Sequence, residues 1–72
     1  MADGTKIKQL REAADIAQYE LAAKLGMPQS ILSDWERERR PVSEKDFNRA
    51  RAAIRAMVAQ REMEIAELLD EA

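Results

Sequence analysis

Apolar positions recur every three or four residues along most of the chain, which is helical spacing. Ile7 and Leu10, closed by Ala14, predict a first helix from Lys6 to about Ala14, with Thr5 as its cap and Met1 to Gly4 loose. Asp15 ends it. Ile16 and Leu21 are placed to bracket a helix start as a hydrophobic staple, which puts the next cap at Ala17. Alanine has no side-chain oxygen, so this helix starts about 0.5–2 kcal/mol weaker than one capped by Ser or Asn. Leu21, Ala22 and Leu25 share a face, and Gly26 follows where a left-handed residue ends a helix. Met27, preceding proline, is pushed into extended geometry. A third helix then runs from Pro28 to Arg37 with Leu32 and Trp35 turned inward, and Glu38 to Pro41 form the exit.

Ser43 and Asp46 have capping-box spacing. From there to about Leu69 the chain has no Gly and no Pro, while Phe47, Ala50, Ile54, Met57 or Val58, Ile65, Leu68 and Leu69 keep helical spacing. One helix of about 26 residues, roughly 40 Å long, is expected. Its half from Val58 to Leu69 outruns the small core. The expectation is an all-α fold, a small helix-turn-helix bundle of four to five helices. Residues 1–42 form its three-helix core, and residues 43–72 form a long helix that completes the core and then serves dimerisation or a partner.

Composition narrows the chemistry. The 72 residues include no Cys and no His, so the commonest general base and the usual zinc and thiol chemistry are missing. The carboxylates are scattered, and no glycine loop cradles phosphate, so no enzyme, metal or cofactor is expected. No apolar run reaches the roughly 20 residues of a membrane span, which predicts a cytoplasmic protein without membrane or small-molecule partners. The net charge of −2 argues at first against nucleic acid. Its distribution alters that, since residues 37–61 hold eight basic against three acidic side chains and residues 62–72 hold five acidic and no basic ones.

The outward face of the third helix carries Gln29, Ser30, Ser33 and Asp34, short polar groups able to bond base edges. Gln29 donates and accepts at once, which suits adenine N6 and N7. Asp34 either accepts from cytosine N4 or pairs with Arg37 or Arg39. Ser33 either meets phosphate or merely sits between Leu32 and Trp35. Arg37, Arg39 and Arg40 present forked donors for phosphate. Arg49, Arg51 and Arg55 either reach outer phosphates or form a solvated face, and the solvated face is favoured. Ile54, Val58, Ile65, Leu68 and Leu69 either fold back or pair with a second copy, with Arg61 fixing register through Glu64.

The stretch IKQLREAADIAQYELAAKLGMPQSILSDWER resembles the lambda-repressor and Cro-like, or XRE-type, helix-turn-helix family. Ala22, Gly26 and Leu32 match its small residue, turn glycine and buried aliphatic. The resemblance implies duplex DNA binding by a homodimer on a palindromic operator, with the third helix in the major groove. It also implies base contacts by Gln29, Ser30 and Asp34, and phosphate contacts by Gln18, Arg37, Arg39 and Arg40. Gln18 further braces Gln29, and Arg11 and Glu36 form a structural ion pair. The sequence departs from the family pattern at Ala17, Pro28, Glu38 and Asp34, and in its unbroken last helix. The competing expectation is an antitoxin-like module whose acidic C-terminal helix binds a protein.

Overall fold

A computed structural model describes residues 2–72. Four helices follow one another: α1 (Gly4–Ala13), α2 (Gln18–Leu25), α3 (Gln29–Glu36) and α4 (Glu44–Glu71). There is no strand among the described residues. Helix α1 packs on α3 and α4, and α2 packs on the same two. Ile7, Ile16, Leu21, Ala22, Leu32, Trp35, Val42, Ala50 and Ile54 form the core between them. The 28 residues of α4 run unbroken and set the 46 Å long axis of the molecule.

The start of the chain differs from expectation. Met1 lies outside the described residues, but Ala2 to Gly4 are not loose. Asp3, not Thr5, caps α1: its Oδ1 accepts from the Thr5 amide at 2.9 Å and from the Thr5 hydroxyl at 2.7 Å. These two bonds hold the Asp3 carboxyl below its ordinary range. Gly4 is buried against the end of α3, where a Cβ would overlap the carbonyl of Trp35. Helix α3 starts one residue later than expected, with Pro28 just outside it. Ala17 caps α2 without a side-chain bond, and the Glu20 carboxylate partly compensates by accepting from the Ala17 amide at 3.0 Å. Ser43 caps α4 by accepting from the Asp46 amide at 3.0 Å.

Three helices end by one device. After α1, α2 and α3 a residue with positive φ turns the chain, namely Asp15 (56°), Gly26 (67°) and Glu38 (61°). In each case that residue's own amide and the next one bond back into the last turn, as with Glu38 to Trp35 at 3.1 Å and Arg39 to Asp34 at 2.8 Å. Only Gly26 adopts that geometry without side-chain strain. Left-handed backbone costs an ordinary residue about 1–2 kcal/mol. Glycine's greater freedom when unfolded returns about 0.4–1 kcal/mol of that. Glu38→Gly is therefore expected to raise the urea midpoint, by about 0.5–1 kcal/mol of stability. Asp15→Gly gains less, because aspartate tolerates the conformation better than glutamate.

Helix α4 also closes the ends of its neighbours. Arg61 Nη1 donates to the Ala14 carbonyl at 2.6 Å and Nη2 to Asp15 at 3.3 Å. Arg49 Nη2 donates to Leu25 at 3.1 Å. Both arginines meet the negative end of a helix. Within the chain Arg61 is thus tied to the end of α1, and Arg49 is engaged at the end of α2 rather than merely solvated. The expectation for Ile54 is corrected, since this residue is 7% exposed within the chain's own core, and Val58 packs against that core. Beyond Arg61 the face is open: Met63, Ile65, Leu68 and Leu69 are all at least half exposed.

Candidate nucleic-acid interface

Helix α3 has two unlike faces because its apolar residues are three apart. Leu32, Trp35 and the carboxylate-bearing Glu36 are buried. Gln29 and Ser30 are exposed in the first turn, while Ser33 and Asp34 are half-buried beside them. Pro28 gives no side-chain cap, so the amides of Gln29 and Ser30 are left for water or an anion. Arg37, Arg39 and Arg40 follow as exposed side chains on the exit. No side-chain bond or ion pair joins Asp34 to Arg37 or Arg39 among the described residues.

A chain of hydrogen bonds fixes this surface to the interior. Arg11 holds Glu36 with two bonds of 2.9 Å, from Nε and Nη2, and its Nη1 donates to the Ile16 carbonyl at 2.9 Å. Bonding to Glu36 raises the Arg11 guanidinium above the ordinary arginine value, so it stays charged. Gln18 Nε2 donates to Glu36 Oε1 at 3.1 Å, and Gln29 Nε2 donates to Gln18 Oε1 at 3.1 Å. The link between Gln18 and Glu36 is not legible in the sequence. Both lie in the stretch that carries the motif, but nothing in their spacing shows that the ends of α2 and α3 converge.

A family model described as Helix-turn-helix matches residues 7–49, more than half of the chain. The chain belongs to the lambda-repressor-like helix-turn-helix family. In this helix-turn-helix protein α2 and α3 are the motif's two helices, and Gly26 is its turn. The family is one of DNA-binding transcriptional regulators. No curated protein and no solved structure matches the chain. No helix among the described residues is long and apolar enough to cross a membrane.

The other sequence-singled positions lie elsewhere. Arg51 and Arg55 are exposed on α4, and Arg51 donates to Asn48 at 3.4 Å. Ile65, Leu68 and Leu69 lie on the part of α4 beyond Arg61, where the sequence is strongly acidic.

Proposed function

We propose that the protein is a sequence-specific duplex DNA-binding repressor that acts in the cytoplasm as a homodimer on a palindromic operator. The observation that carries this reading is the outward first turn of α3, with Gln29 exposed and braced by Gln18 at 3.1 Å. Gln29, Ser30 and Asp34 reach base edges in the major groove, with Asp34 accepting from cytosine N4. Ser33, Arg37, Arg39 and Arg40 meet phosphate, as does Gln18 at the start of α2. Two copies of α3 then occupy major grooves about 34 Å apart, and occupancy blocks a promoter.

The test is binding across a salt series, comparing duplexes selected from a random pool with unselected duplex. The selected duplex is expected to bind about a thousandfold tighter or more at physiological salt. Equal binding at every salt concentration would refute the reading. Arg37→Gln, Arg39→Gln and Arg40→Gln are each expected to weaken selected and unselected duplex alike. Each lost phosphate contact lowers the slope of log K against log salt by about 0.9.

The second copy is assigned to the open face of α4, where Leu68 is 66% and Leu69 71% exposed. A second reading rests on the same segment. Residues 62–72 hold five acidic and no basic side chains, which disfavours side-by-side parallel self-pairing and suits a basic protein partner. Light scattering separates the two: the homodimer predicts twice the 8.2 kDa chain mass, and truncation after Arg61 returns the monomer. A monomer in the intact protein that pairs stably with a second, basic chain would favour the other reading.

A further inference from the structure

We infer that Glu36, which touches no base, is a positioning residue that sets base preference by fixing the direction of two glutamine amides. The inference rests on the DNA-reading role proposed above for Gln29. A carboxylate can only accept hydrogen bonds, and Glu36 is 4% exposed with its rotamer held by the two bonds from Arg11. Gln18 lies 3.1 Å from Glu36 Oε1, so it must turn its nitrogen inward and its oxygen outward. Gln29 lies 3.1 Å from that oxygen, so it in turn must offer nitrogen. Reversing either amide would set oxygen against oxygen. The order of donors is therefore dictated by the Glu36 carboxylate, which can only accept.

The consequence appears at the surface. Gln29 gives one N–H to Gln18 and keeps one N–H and its oxygen for a ligand. Adenine offers an acceptor at N7 and a donor at N6, which complements that pair. Guanine offers acceptors at both N7 and O6, which calls for two donors. A glutamine free to rotate can supply both N–H groups, but Gln29 has committed one and sets its oxygen against O6. Glu36, through Gln18, thus excludes guanine at the position Gln29 reads.

Two variants and two measurements test this. Glu36→Gln keeps the shape but can donate as well as accept, so the direction is no longer imposed. Gln18→Leu removes the link while leaving the pair of Arg11 and Glu36 intact, and covers the case in which Glu36→Gln folds poorly. In the free protein, the side-chain amide protons of Gln29 are expected to shift in both variants when followed by NMR. On duplexes differing only at the Gln29 position, the adenine-over-guanine preference is expected to fall roughly tenfold in each variant. Preferences at neighbouring positions should hold, which a general loss of structure would not allow. Unchanged Gln29 amide signals in both variants would overturn the inference, whether or not any DNA is bound. Shifted signals with an unchanged preference would overturn the role in specificity. A parent protein without sequence-specific binding would instead refute the DNA reading, while its amide signals still report on the direction of the bonds.

Discussion

Gly4→Ala is expected to destabilise the protein by about 3 kcal/mol, the upper part of the range for overpacking. The methyl group would occupy the space of the Trp35 carbonyl, which is backbone and cannot swing aside. Relief requires the start of α1 to separate from the end of α3. That separation loosens Trp35 and Val42, both in the core. A domain of this size has a total stability of about 4–10 kcal/mol, so the loss is a large fraction of it. Urea denaturation followed by helical circular dichroism checks the prediction. A midpoint within error of the parent would show that the contact is not close in solution.

Arg11→Met is expected to have an effect as large or larger, about 3–5 kcal/mol. It leaves Glu36 buried, charged and held only by Gln18. It also removes the donor to the Ile16 carbonyl. The double change Arg11→Met with Glu36→Leu is expected to recover part of the loss, because an apolar pair has no uncompensated charge to keep from water. Urea denaturation midpoints of the parent, single and double variants test both statements.

Much of the architecture could be read from periodicity and turn residues. Gly26 followed by Pro28 marked the bend, and the inward pairing of Leu32 with Trp35 oriented α3. What periodicity hid was which neighbour covers a given face. Ile54, Val58, Arg61, Ile65 and Leu68 follow one side of α4 at about 100° per residue. The pattern alone does not tell where α1 stops covering that side. The structure places the boundary at Arg61, whose guanidinium closes the end of α1. A glycine near a terminus reads as freedom, whereas Gly4 permits close approach of α1 to α3. Asp3, two residues ahead of Thr5, offers a carboxylate that competes with the Thr5 hydroxyl for the cap, and the carboxylate takes it. Glu38 is legible in the sequence as a departure from the family pattern, and its positive φ shows what the departure costs.

The account depends on the first turn of α3 facing DNA. Backbone and side-chain NMR shifts followed while selected duplex is added measure this directly. The account predicts that the largest changes fall on Gln29, Ser30 and Asp34, with Gln18 and Arg37 to Arg40 around them. Changes confined to residues 62–72, with Gln29 and Ser30 unmoved at saturation, would contradict it.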